Sequence, residues 1–196
     1  MEIFDITQEL FGCAVYPGDP APRREVLLQT AKGDACNLTA LSMCAHNGTH
    51  LDAPYHFIEN GARIDEVPLS TTVGPAFVAV FEGEIDAHAA EDILARARAA
   101  GAGERLLIKG AAVVTEAAAE VFCAGGVLLV GNESQTVGPE KAPAAVHRIL
   151  LGAGVVLLEG VRLSAVPEGA YFLFAAPLLL GGADGAPCRA VLIREG

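Results

Sequence analysis

The sequence predicts an α/β fold in one domain, and three observations carry that prediction. The chain has 196 residues, enough for one domain with a sizeable core. Short apolar runs bounded by Gly, Pro and Asn alternate with longer segments of helical character. No linker, repeat or low-complexity tract interrupts them. The irregular spacing of the strands, and the absence of a G-x-G-x-x-G or P-loop motif, argue against a simple doubly wound sheet.

Taken in order, Glu2–Thr7 reads as the first strand and Val15–Pro20, with its prolines and glycine, as a turn. Cys36–Ala45 alternates as a strand does and leads into a histidine-rich stretch that Gly48 and Pro54 make irregular. Asn60-Gly61 marks another turn. Val73–Phe81 reads as a strand, Ala87–Ala100 as a helix stopped at Gly101, and Arg105–Lys109 as a short strand. Thr115 suits a helix N-cap, with Glu116 in the first turn and the end near Gly125. Val127–Val130 is a buried strand, and Pro143 can occupy the first turn of a helix running to about Gly152. Val155–Glu159, Tyr171–Ala175 and Ala190–Ile193 complete the strands.

Composition excludes several classes. The formal charge is −11 and the isoelectric point about 4.8; no cluster of Lys and Arg is present, so nucleic acid is not an expected partner. Hydrophobic residues make up 52% and the mean hydropathy is +0.41. Even so, the longest apolar runs, Gly152–Leu158 and Phe172–Leu180, are too short for a bilayer or contain a proline. The opening MEIFDITQEL lacks a basic n-region and a long apolar h-region, so no secretory signal and no membrane association are expected. The five cysteines, Cys13, Cys36, Cys44, Cys123 and Cys188, include no CxxC pair. They read as buried reduced thiols of a cytoplasmic protein rather than a disulfide framework or a thiolate zinc site.

Chemistry concentrates in one segment. His46, His50, Asp52 and His56 fall within eleven residues, and three of the chain's five histidines are among them. In extended chain His50 and Asp52 point to one side. Gly48 permits a bend and a close approach, and Pro54 stiffens the chain before His56. Imidazole with carboxylate suits zinc, or manganese where oxygen ligands dominate. The cluster supplies three or four ligands, so others are expected from elsewhere. His147, in the apolar helix AAVHRILL, and Glu159, ending the apolar strand GVVLLEG, stand out, because a buried carboxylate needs a partner. His88, in DAHAAED, reads as a solvated helix face.

His46-Asn47-Gly48-Thr49-His50-Leu51-Asp52-Ala53-Pro54-Tyr55-His56-Phe57 resembles the HxGTHxDxPxHF signature of the cyclase-like metal hydrolases, a family that includes bacterial kynurenine formamidases and isatin hydrolases. Tyr16-Pro17-Gly18-Asp19 resembles the family's WPGD segment, Leu128–Gly138 its central loop, His147 through Glu159 its helix-to-strand stretch, and Gly182 to Arg189 its GxDGxPxR segment. The resemblance implies a swivelling β/β/α-like domain with a mixed sheet flanked by helices. It also implies dimers or tetramers with the active site near the subunit interface. It further implies one or two Zn²⁺ ions per subunit: His46, His50 and Asp52 on the first, Asp52 bridging to a second held by His147 and Glu159, and His56 as the acid/base. Tyr16 stands where the family's Trp helps form the substrate pocket, and Gly131 to Thr136 reads GNESQT where an aspartate and then a serine are expected. These departures fall on substrate-facing segments and spare the ligands.

The expected reaction is hydrolysis of a small amide by metal-activated water, with His56 moving the proton. An aryl formamide of the N-formylkynurenine kind leads, followed by a cyclic amide such as isatin or a cyclisation or dehydration. A metal sensor or structural subunit is the non-enzyme rival; His56 exceeds what a closed site needs. No G-x-S-x-G elbow is present, so a serine hydrolase is disfavoured, and Cys44 reads as a packed neighbour of the segment.

Overall fold

The computed structural model describes residues 1–194. Thirteen strands run β1 Glu2–Asp5, β2 Arg23–Leu28, β3 Leu38–Ser42, β4 His50–Asp52, β5 Val73–Val80, β6 Gly83–Ile85, β7 Arg105–Lys109, β8 Ala112–Val114, β9 Leu129–Asn132, β10 Val156–Glu159, β11 Gly169–Phe174, β12 Gly185–Pro187 and β13 Val191–Arg194. The helices are a single turn α1 Leu69–Thr72, then α2 Ala87–Ala99, α3 Glu116–Ala124 and α4 Ala144–Gly152.

Nine strands form one mixed sheet in the order β1-β13-β11-β5-β7-β9-β10-β4-β12. Its centre, β5-β7-β9-β10, is parallel, and antiparallel strands extend it on both sides. Parallel neighbours need a crossover: α2, α3 and α4 each lie between two consecutive parallel strands in the chain. Asp86 and Thr115 cap α2 and α3, accepting from the amides of Ala89 and Ala118.

The strand period of two divides the interior into two cores. Phe77, Ala79, Leu106, Ile108, Val130 and Leu157 pack with Ile93, Phe122 and Leu150 of the helices. The alternate residues Ala76, Val78, Leu107, Leu129, Val156 and Leu158 join a second core. That second core also holds Leu51 of β4 and Leu192 of β13, near opposite ends of the sheet order. The sheet therefore curls until its two antiparallel wings share one interior. The Thr49 hydroxyl accepts from the Gln8 amide at 2.9 Å, and Arg162 N–H donates to the Ile6 carbonyl at 2.8 Å across the closure. The outcome is the expected α/β class with a mixed sheet.

Several elements depart from the sequence expectation. Cys36–Ala45 contributes only β3, which pairs with β2 in a separate two-stranded arm. β2 is invisible in sequence because both its faces are exposed, so no alternation is imposed on it. β9 begins two residues later than the apolar run Val127–Val130, whose first N–H still donates to the Phe122 carbonyl of α3 at 3.1 Å. β12 carries a glycine and a proline in three residues and has no apolar run at all. The cysteines are unpaired, but only Cys188 is buried and Cys36 is exposed. The uniform burial expected of them fails because Cys36 lies on the approach to the projecting arm. Among the described residues no helix is long and apolar enough to cross a membrane.

Candidate metal centre

β4 lies between β10 and β12, antiparallel to both, with His50 opposite Glu159 and Asp52 opposite Leu157 and Gly185. Period two sends Leu51 into the second core and turns His50 and Asp52 to the helix-covered face. Glu159, the last residue of β10, shares that face with Leu157. His147 reaches the same point from α4. Ligands commonly lie beyond the carboxyl ends of parallel strands, and β10 ends here.

Asp52 is the hub. Its Oδ1 lies 2.7 Å from His46 Nδ1 and 3.3 Å from His50 Nε2. Its Oδ2 lies 3.6 Å from His147 Nε2 and 3.9 Å from His56 Nε2. Glu159 closes the cluster, with Oε2 3.6 Å from His50 Nε2 and Oε1 3.3 Å from His147 Nε2. The six residues named from the sequence as ligands or acid/base thus converge. His50, Asp52, His147 and Glu159 are buried, whereas the His56 side chain keeps 27% of its surface, which makes it the one most open to a substrate.

The backbone around the cluster is shaped for close approach. Gly48 has φ +71° and Gly160 has φ +68°, conformations that favour glycine. A Cβ on Gly160 would sit 2.6 Å from the Gly48 carbonyl oxygen. That same Gly48 carbonyl takes the Nδ1 proton of His50 at 3.0 Å, and the Pro143 carbonyl takes that of His147 at 3.0 Å. Both rings then present Nε2 to the carboxylates, the arrangement by which backbone acceptors orient metal-ligating histidines.

The electrostatics describe two buried carboxylates sharing borrowed protons. Burial opposes a charge on His46, but the hydrogen bond and charge of Asp52, reinforced by Asp184, outweigh it and raise its pKa to about 10. Burial likewise opposes His50 and His147, which Asp52 and Glu159 respectively push up. Burial would raise Asp52, yet His46 and His50 hold it well below the carboxylate range. Glu159 moves the other way, raised by burial and by the charge of Asp52. Asp52 Oδ2 is buried and accepts no hydrogen bond. An orphaned buried carboxylate oxygen is unfavourable unless something positive meets it. The donor set is nitrogen and oxygen with Nε2 atoms pre-aimed, so these residues fit a divalent cation of the zinc or manganese kind.

Above the cluster lies a cavity of about 260 Å³ lined by Tyr16, Asp19, Phe57, Gln135, Thr136 and Pro143. Tyr16 donates its hydroxyl hydrogen to the Glu140 carbonyl at 3.2 Å, closing one side. Glu133 turns away: its carboxylate accepts from the Gly110 and Leu163 amides, both at 2.9 Å, and anchors the loop that presents Gln135 and Thr136. His88 is exposed on α2. One participant was not singled out from sequence. Asp184, just before β12, places Oδ2 2.9 Å from His46 Nε2 and 3.1 Å from His56 Nδ1. Its signal was present in the ADG of the C-terminal segment, where Gly185 brings β12 against His46: a Cβ there would meet the ring at 2.7 Å.

The family model described as "Putative cyclase" matches residues 4–139, which spans more than half of the chain and includes the whole histidine signature. The chain belongs to the cyclase family. A kynurenine formamidase of Salinibacter ruber is 32% identical to this cyclase-family chain, over 98% of it and 97% of the relative. One from Delftia acidovorans is 33% identical over 91% and 90%. A solved structure titled a potential metal-dependent hydrolase with cyclase activity superposes with a TM-score of 0.83 at 30% identity, covering 100% of this chain and 99% of the other. Isatin hydrolase A from Labrenzia aggregata shares the fold, with a TM-score of 0.83 at 23% identity, over 99% and 94%.

Proposed function

We propose that the protein is a metal-dependent hydrolase that cleaves the carbon–nitrogen bond of a small aryl formamide of the N-formylkynurenine type. The observation that carries this is Asp52: a buried carboxylate with an unpartnered oxygen, ringed by His46, His50, His147 and Glu159, beneath a cavity that His56 enters. The relatives at 32–33% identity are kynurenine formamidases and match nearly end to end. The cavity, at about 260 Å³, lies at the small end for ligand sites and suits one aromatic ring with its amide.

In this reading His46, His50 and Asp52 hold one divalent ion, zinc by preference and manganese as the alternative. Asp52, His147 and Glu159 hold a second where two are bound. When bound, such an ion supplies hydroxide near neutral pH and stabilises negative charge on a carbonyl oxygen. His56 takes the proton of the attacking water through Nε2 and returns it to the leaving nitrogen as the C–N bond breaks, giving formate and the aryl amine. Phe57 and Tyr16 flank the ring of the substrate, and Thr136 and Gln135 face it from the central loop. The chain works in the cytoplasm, in keeping with five unpaired cysteines.

The oligomer is a dimer or tetramer of identical chains. The β2–β3 arm exposes Val26, Leu27, Leu38 and Leu41 at 47–61%, and a two-stranded arm with no packed face is marginal in water. A second copy covering it accounts for these residues.

The test is direct. Metal bound to the purified protein is quantified, then N-formylkynurenine and isatin are assayed with that metal restored. Turnover of the formamide above isatin is expected; a metal-replete protein inert towards the formamide refutes the reading.

A further inference from the structure

We propose that Asp184 is a positioning residue for His56, holding its ring so that Nε2 faces the carboxylate cluster; this rests on the acid/base role given to His56 above. His56 makes one side-chain hydrogen bond among the described residues, from Nδ1 to Asp184 Oδ2 at 3.1 Å. An ionised carboxylate only accepts, so this contact requires the hydrogen on Nδ1. In the neutral ring the lone pair then lies on Nε2, the nitrogen 3.9 Å from Asp52 Oδ2. A ring reversed about its Cβ–Cγ bond would put Cε1 where Nε2 stands and leave no basic atom facing the attacking water.

The surrounding contacts fix the plane of the ring but not its direction. His56 stacks on His46 with centroids 4.1 Å apart and meets Phe57 edge-on at 4.7 Å. Ring contacts of this kind tolerate a half-turn; the hydrogen bond to Asp184 does not. Asp184 itself is steered by the backbone, since its carbonyl accepts from Ala53 N–H at 2.9 Å and Gly185 pairs with Asp52 in the next register position. The same Oδ2 also touches His46 Nε2 at 2.9 Å, so a role in supporting His46 is the alternative the experiment must separate.

Zinc-loaded wild type, Asp184→Asn, Asp184→Ala, His56→Ala and the double variant His56→Ala/Asp184→Ala are compared. Ring ¹⁵N resonances, with His56 assigned by its loss in His56→Ala, report the tautomer independently of any substrate. Wild type should carry the hydrogen on Nδ1, Asp184→Asn should retain it through the amide oxygen, and Asp184→Ala should relax towards Nε2–H. On N-formylkynurenine, Asp184→Ala should lose about 10–100-fold in kcat with KM and zinc content little changed. Removing Asp184 after His56 is gone should change kcat by less than about twofold, because residues that act as a unit are not additive. An Nε2–H tautomer in wild type overturns the proposal, and does so even if Asp184→Ala folds poorly. So does an equal loss in both backgrounds, or loss of zinc in both Asp184 variants, which would assign Asp184 to His46. If wild type has no formamidase activity the hydrolase reading fails, while the tautomer measurement still decides the role of Asp184.

Discussion

At the scale of single residues, the proposed function separates side chains that hold charge from one, His56, that moves a proton. His56 is partly exposed, while Asp52 and its other neighbours are enclosed. His56→Ala is therefore expected to keep its metal and lose about 10²–10⁴-fold in kcat, the ordinary contribution of general acid–base catalysis; metal analysis beside steady-state kinetics checks both halves. Asp52→Ala removes the hub of both halves of the cluster and should abolish stoichiometric metal binding, so retained metal would contradict the bridging assignment. The pH dependence follows from His46, held at about 10 in the folded chain against about 6.5 unfolded. Its proton contributes stability that is fully present below about pH 6.5 and is lost as pH rises through about 10. Chelator-stripped protein should thus lose thermal stability across that window. Zinc-loaded protein should not, because the ion replaces the proton, and melting curves at stepped pH distinguish the two.

At the scale of elements, two short strands and one turn do the positioning. β4 is only three residues long, yet its register sets His50 opposite Glu159. The adjoining turn is stitched by polar contacts: Gln8 Nε2 donates to the Gly160 carbonyl at 2.7 Å, and the Thr49 hydroxyl donates to it at 2.8 Å. Gly160→Ala would drive a methyl to 2.3 Å from Gln8 Nε2 in a backbone conformation of positive φ. A loss of about 1–3 kcal/mol and weakened metal retention are expected, measured by denaturation and metal competition. α2 and α3 were legible because Gly101 and Gly125 stop them, and β5 and β7 because each is a short apolar run. β2 and β12 were not, since an exposed arm and a Gly-Pro strand impose no apolar alternation.

At the scale of the molecule, the curled sheet brings its wings together and leaves the arm outside. Leu27→Glu with Leu41→Glu places charge on surfaces exposed at 48% and 61% in the single chain. If a second copy covers the arm, light scattering should show the variant shifted to monomer while its circular dichroism is unchanged. An unaltered mass would show that the arm is not the contact.

The sequence alone determined the local chemistry. His46, His50, Asp52 and His56 sit on one segment, and the period of two turns His50 and Asp52 to one side, so a candidate metal cluster was readable from its own residues. His147 and Glu159 could be suspected because polar groups in apolar elements require partners. Only the tertiary structure decided that those partners are each other, since parallel pairing of β9 and β10 across α4 brings together positions about a hundred residues from β4. Asp184 lies in the segment that resembles GxDGxPxR, but its contacts depended on the tertiary structure. Its neighbours in the chain are Ala183 and Gly185, and its place beside His56 comes from β12 closing on β4, a long-range pairing that no local pattern encodes.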